Sequence, residues 1–257
     1  MKKVISLLFT AVIMLVLTSC SASCSLGRRN EGPQTTRVVK AHSFDSVSAD
    51  IVGDIYFKQS DTLSVRIEGP KEQVEGIKVE FKGNALVFST ETKLCSFLNG
   101  IGKNDGVKVY ISSPNLVAVS VKGVTDFHAN KVDTDNMLID LSGVGGAYID
   151  NLVCDNFDTR VKGTGDVEVK SLEAITAKIF LQGTGDVKAS CHKVKDTVLS
   201  LQGTGDIDVN MDKCGKVNAN LQGTGDITIK GDVSVLEKSE HGTGDIDTDN
   251  LLVKARN

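Results

Sequence analysis

Three stretches of the chain, LQGTGDVKAS (181–190), LQGTGDIDVN (201–210) and LQGTGDITIK (221–230), repeat nearly the same words every 20 residues. A fixed internal period restricts a chain to repeat architectures before any single residue is interpreted. Gly163, Gly183, Gly203 and Gly223 each open a GTGD, and Gly242 opens another one residue early. Degenerate copies, GVGG from Gly143 and GVTD from Gly123, extend the series backwards to seven units. A unit of this size cannot bury an apolar face alone, whereas stacked units bury one continuous core.

Within each unit the apolar residues alternate: Val117, Val119, Val121; Met137, Ile139, Leu141; Ile175, Ala177, Ile179, Leu181; and, after the turn, Val187 and Ala189 or Ile207 and Val209. Period two means strand. Each unit therefore reads as strand, tight GTGD turn, strand, and a looser second turn such as DKCGK at 212–216. The expected fold is all-β: a right-handed parallel β-helix of about seven 20-residue coils with an N-terminal β cap. An antiparallel meander of the same strands, closing a sandwich or barrel, is the competing arrangement. In the solenoid, Leu181, Leu201 and Leu221 form an interior ladder, and Gln182, Gln202 and Gln222 an amide ladder. The last unit places Lys238 and Glu240 where Ala219 and Leu221 point inward, as a terminal coil should. The tail LLVKARN is expected to fold across that end.

Upstream, SVSADIVGDIYF (46–57) resembles a coil with a shorter turn, Gly53 and Asp54 standing where Gly225 and Asp226 stand later. VRIEG, IKVEFKGNALVFST and GVKVYISSP then read as strands of another rhythm, the middle one a hairpin around Lys82, Gly83 and Asn84. The loop from Thr92 to Asp105, with Phe97 and Leu98, is a candidate surface contact.

The first residues, MKKVISLLFTAVIMLVLTSC, carry two lysines and then a short apolar run, the pattern of a secretory signal. Val4 to Leu17 falls short of the roughly 18 apolar residues of a stable membrane span. LTSC resembles a bacterial lipobox, with Cys20 at the acylated position; SASC, ending at Cys24, is a weaker match. The segments are then a lipoprotein signal peptide (1–19), a flexible tether (20–36), an N-terminal β region (37–115) and the repeat solenoid with its C-terminal cap (116–257). Losing Lys2 and Lys3 leaves 27 basic against 33 acidic residues, a formal −6, so nucleic acid is not an expected partner. Cys191 and Cys214 lie in neighbouring coils but three residues out of phase, and no disulfide is expected.

Chemistry is sparse. His42, His128, His192 and His241 share no ligand spacing with the cysteines, and GTGD matches neither dinucleotide nor P-loop glycine patterns. No catalytic residue, metal site or cofactor is expected. The candidate site is a column of carboxylates, Asp126, Asp166, Asp186, Asp206, Asp226 and Asp245. Neighbours roughly 5 Å apart would repel by about 1 kcal/mol in water and on the order of 3–4 at an effective dielectric near 20. A row of cations, calcium above all, could offset that; so could backbone N–H groups of the turns, worth roughly 1.5–3 kcal/mol each to a charged acceptor. A polysaccharide-processing enzyme is disfavoured: there is no Trp, and Tyr56, Tyr110 and Tyr148 are far apart in sequence.

FDSVSADIVGDIYF, VKVYISSPNLVAVSVKG and the serial Gly-x-Gly-Asp turns together resemble the head GIN domain of auto-transporter adhesins, over Phe44 to Asp245. The resemblance implies a β-helical exported domain with an adhesive role and no catalytic residues to carry over. The chain ends at Asn257 without room for a membrane barrel, so a lipid at Cys20 is expected to be the anchor. The expected protein is a lipid-anchored, outer-membrane cell-envelope scaffold, not an enzyme, with a glycan or protein ligand and homo-oligomers as candidate partners. A carbohydrate-active enzyme and a purely structural envelope protein are the alternatives.

Overall fold

The computed structural model describes residues 33–90 and 106–254. The signal segment, Cys20 and Cys24, the tether up to residue 32, the loop of residues 92–105 and its Cys95 lie outside the described residues.

The chain opens with β1 (Gln34–Val39), β2 (Ser46–Asp50) and β3 (Val52–Gln59), so strand begins inside the stretch expected to be tether. β4 (Ser64–Pro70) runs into a short helix, α1 (Lys71–Glu75), and β5 (Ile77–Lys82) turns through Gly83 and Asn84 into β6 (Ala85–Thr90). β7 (Val107–Ser113) and β8 (Ala118–Val121) lead into three long strands, β9 (Val124–Leu141), β10 (Ala147–Val161) and β11 (Val167–Leu181). β12 (Val187–His192), β13 (Asp196–Leu201), β14 (Ile207–Leu221), β15 (Ile227–Glu240), β16 (Ile246–Asp247) and β17 (Leu251–Val253) complete the order.

From β8 onward every pairing is parallel and joins a residue to its own copy one coil away: Ala147 lies beside Phe127 on one side and Val167 on the other. Val124, Val144, Thr164, Thr184, Thr204, Thr224 and Thr243 bridge in series, giving seven stacked turns. The fold is thus a β-solenoid and not a meander. The segment 46–57 is itself a coil: β3 pairs Gly53 with Thr125 and Asp54 with Asp126, in the register its sequence indicates. On the far side of β2 and β3 lie β6 and β7, also parallel, although they come later in the chain. Beyond them the pairing turns antiparallel, β5 on β6, β4 on β7 and β1 on β4. Arg37 ties β1 to α1 and β5 by donating from Nη1 to the Ile77 carbonyl at 2.7 Å and the Val74 carbonyl at 3.4 Å.

The interior is built from columns of identical or similar side chains. Leu181, Leu201 and Leu221 are fully buried in one column, Val187, Ile207 and Ile227 in another. The expected loose second turn is absent from most coils: residues 207–221 form one continuous paired strand. Its inward residues run Ile207, Val209, Met211, then Cys214, then Val217, Ala219, Leu221, so the spacing of two slips to three at each bend. A change of side-chain phase turns a corner without breaking hydrogen bonds, because those bonds run between coils and not within one. Such a corner leaves Ile175, expected inside, 42% exposed. Lys193 and Lys213 take positive φ (57° and 54°) at the equivalent bends of their coils.

The same corner explains the irregular last coil. β14 and β15 pair Met211 with Gly231 but Cys214 with Val233, so one residue is lost there and Leu221 comes to face Glu240, Ala219 to face Lys238. Lys238 and Glu240 then pair across 3.2 Å on the exposed edge. The described part of the tail, residues 251–254, does not cross this end. β17 stacks on Gly231–Val233 as one more limb, held by Lys254 donating to Asp232 Oδ2 at 2.6 Å.

Cys154, Cys191 and Cys214 are buried free thiols, and the Cys214 thiol points at the Cys191 carbonyl, 3.4 Å away. Burial pushes the Cys154 and Cys191 thiols up to about 12. A thiol whose folded value is raised contributes stability below its unfolded value and loses it as pH climbs through the folded one. Stability should therefore fall above about pH 9, and iodoacetamide at pH 8, mapped by mass spectrometry, should modify Cys191 only after denaturation.

Two substitutions test the core. Leu201→Ala should cost about 2–5 kcal/mol in denaturant unfolding, since a rigid ladder cannot collapse around the hole. Thr159 is fully buried and its hydroxyl has no partner among the described residues, so Thr159→Val should add about 1 kcal/mol.

Candidate functional site

The motif GTGD turns one corner of the coil, and its backbone leaves no room for larger residues. A Cβ on Gly205, whose φ is +142°, would lie 2.0 Å from the Gly185 carbonyl oxygen. Glycine is needed here because adjacent turns approach this closely. Three exposed columns follow from the stacking: the glutamines, the threonines and the aspartates. Gln182 donates from Nε2 to Gln202 Oε1 at 2.9 Å, one rung of the expected amide ladder. Between the Gln and Thr columns runs an open polar trough of about 700 Å³, lined by Gln182, Gln202, Gln222, Thr184, Thr204 and His241 among others.

The predicted aspartates do come together. Asp186 N–H donates to Asp166 Oδ1 at 2.8 Å, Asp206 to Asp186 at 3.1 Å, Asp226 to Asp206 at 2.9 Å and Asp245 to Asp226 at 2.9 Å. Gly146 N–H makes the same bond to Asp126 Oδ1 at 2.7 Å. The donor is the next coil's backbone, not the same turn's, so each carboxylate from Asp126 to Asp226 is a coil-to-coil fastener. One oxygen of each is thereby committed to the fold. A single remaining oxygen per coil is a poor match to the six to eight that calcium takes.

A second column, two residues along the same face, was hidden in the sequence. Tyr110, Tyr56, His128 and Tyr148 stack ring on ring, with centroids 5.3, 5.1 and 5.2 Å apart and planes within 20° of parallel. Arg66 lies over the outer face of Tyr110 at 4.6 Å. The three tyrosines, far apart in sequence, are thus neighbours in space. Registering the chain on its Asp column exposes the pattern: Tyr56 follows Asp54, His128 follows Asp126 and Tyr148 follows Gly146, each by two. Tyr110 enters only through the pairing of β7 with β3, which no repeat announces. Each pair of rings adds about 0.5–1.5 kcal/mol beyond area burial. Burial first, and then Asp54 for Tyr56 and Asp126 for Tyr148, raises both phenol pKa values, so these hydroxyls stay protonated at neutral pH. Ring faces are largely occupied by other rings, so the column offers solvent its edges and hydroxyls.

The stack accounts for one lapse in the motif. A Cβ on Gly146 would lie 2.6 Å from the Tyr148 hydroxyl, so the ring occupies the space that an aspartate side chain fills in the later coils.

Residues 43–254 match the family model described as "Putative auto-transporter adhesin, head GIN domain". The chain belongs to this family. No protein of curated function matches the sequence. Among solved structures, the chain is similar to a Bacteroides fragilis protein described as a "putative adhesin", at 32% identity and a TM-score of 0.74, covering 84% of this chain and 96% of that one. A Parabacteroides distasonis protein described as a "putative adhesin" is similar at 20% identity, with a TM-score of 0.68 and 84% and 97% coverage. A protein from the same species described as a "Putative lipid binding protein" matches at 18% identity and a TM-score of 0.51, with 84% and 96% coverage. The last two share the fold. For the head GIN domain of this chain, the family thus coincides with the resemblance carried by its turns and its first coil.

One substitution separates the two columns. Gly146→Asp should destabilise the domain by about 1–3 kcal/mol, because the new carboxylate displaces the Tyr148 ring. Combined with Tyr148→Glu, which borrows the residue of the next coil, most of that cost should disappear in a double-mutant cycle measured by thermal unfolding.

Proposed function

We propose that this protein is a lipid-anchored bacterial cell-envelope protein whose solenoid is a non-catalytic, adhesin-like binding scaffold. The observation that carries the reading is the outward face itself. It presents the same amide, hydroxyl and carboxylate groups coil after coil, a surface suited to an extended ligand. Catalysis would want one place where the pattern breaks to bring an acid and a base together. The Asp column instead repeats one backbone contact at each step. Membership of the head GIN domain family and the similarity to a Bacteroides fragilis protein described as a "putative adhesin" support the same reading. Among the described residues no helix is long and apolar enough to cross a membrane, and the anchor in this reading is an acyl chain on Cys20. The ligand class that suits such a polar face is a glycan or an extended protein segment, met at the outer membrane.

Two measurements test it. Palmitate should label the protein in growing cells, and Cys20→Ala should abolish the label and move the protein to the soluble fraction. Protease added to intact cells should degrade the wild-type chain. Complete protection of the chain would refute the adhesive role while leaving the anchor intact.

A further inference from the structure

We propose that Asp54, Asp126 and His128 form a binding site for one divalent transition-metal ion, zinc being the cation that their donors suit best. The site is separate from the aspartate column at 166–245, and it stands or falls independently of the adhesive reading.

Its three residues come from two coils that the chain builds far apart in sequence. β3 and β9 pair in parallel, which sets Asp54 directly beside Asp126 and Tyr56 directly beside His128. One ligand atom from each of Asp54, Asp126 and His128 then lies within 4.8 Å of the other two, and all three residues are half-buried. Small side-chain rotations close such a set around an ion, since zinc sits about 2.0–2.2 Å from imidazole nitrogen and carboxylate oxygen.

The surroundings hold each donor in place by contacts outside the trio. Asp126 accepts the Gly146 N–H through Oδ1, leaving Oδ2. The Tyr56 hydroxyl reaches Asp54 Oδ2 at 3.4 Å. The imidazole of His128 is clamped between the rings of Tyr56 and Tyr148, 5.1 and 5.2 Å away. Orientation of ligands by such outer partners is what raises metal affinity in protein sites.

The composition of the site selects the ion. In the later coils the position two after the aspartate holds Glu168, Lys188, Asp208 or Thr228, so an imidazole beside two carboxylates occurs here and not there. Calcium prefers six to eight oxygens, whereas one nitrogen and two oxygens suit zinc and its neighbours in the transition series. Three protein ligands leave a fourth position for water or for a donor from a bound partner. The cation would also relieve the repulsion between Asp54 and Asp126, which stand side by side, with Lys108 in register beside Asp54 on its other side.

The test is calorimetric titration of the full-length, untagged, metal-free protein with zinc alone, together with the absorption spectrum of its cobalt form. Uptake of one equivalent and a cobalt spectrum without thiolate charge transfer are expected. His128→Phe keeps a ring in the stack and removes the nitrogen. Asp126→Asn keeps an oxygen for the Gly146 N–H and removes the charge. Each should weaken binding by at least about tenfold, the lower end of what loss of even an outer partner does. Asp186→Asn should bind as the parent does. No uptake by the parent, a thiolate band in the cobalt spectrum, or parental affinity in either folded variant overturns the proposal. Circular dichroism identifies a variant that has lost its fold, in which case the other variant and the cobalt spectrum decide.

Discussion

Everything in this molecule hangs on one constraint: the backbone groups of a coil find their partners in the next coil and not in their own. A helix satisfies itself along its length, but a solenoid coil is incomplete until another lies against it. Equal coil length follows directly, because a residue gained or lost in one coil shifts every pairing after it. The chain meets the requirement with a period of 20 and absorbs its single late deletion at the corner between Met211 and Cys214. What the deletion changes is the chemistry of the end, where Lys238 and Glu240 replace the interior ladder.

The side chains obey the same rule as the backbone. Leucine stacks on leucine, glutamine on glutamine and tyrosine on tyrosine, so each contact is made once in sequence and used several times in space. The aspartates show how this offsets a cost. A bare column of carboxylates repels itself, but each one before Asp245 receives an N–H from the coil above, and hydrogen bonds to a charged acceptor are among the stronger ones a protein makes. The column that looks most like a metal site is therefore mainly occupied with holding coils together. The more suitable donor set lies upstream, where the repeat is weakest.

The repeated part of the fold was plain in the sequence, since LQGTGD announces the period, the inward leucine and the turn glycines at once. Even the first coil, SVSADIVGDIYF, could be registered from Gly53 and Asp54. Less legible were features that depend on pairing between distant segments. Tyr110 reaches the aromatic stack only because β7 lies beside β3, and nothing in GVKVYISSP reveals that neighbour. The corners read as loops in the sequence because DKCGK has the composition of a turn. In place it is paired strand, and a Cβ on its Gly215 would lie 2.1 Å from the Lys195 carbonyl oxygen.

The order in which coils stack differs from the order in which they are made. β3 sits between β7 and β9, so Gly53, already beside Val107, must wait for Thr125 before its second edge is covered. Closing so long a loop is slow, and the rate at which such a domain forms is governed by these distant pairings. From β9 onward, by contrast, every new coil meets a finished template 20 residues behind it. A chain that emerges from its amino terminus therefore faces its one difficult step early, and the rest can be laid down in sequence as the polypeptide arrives.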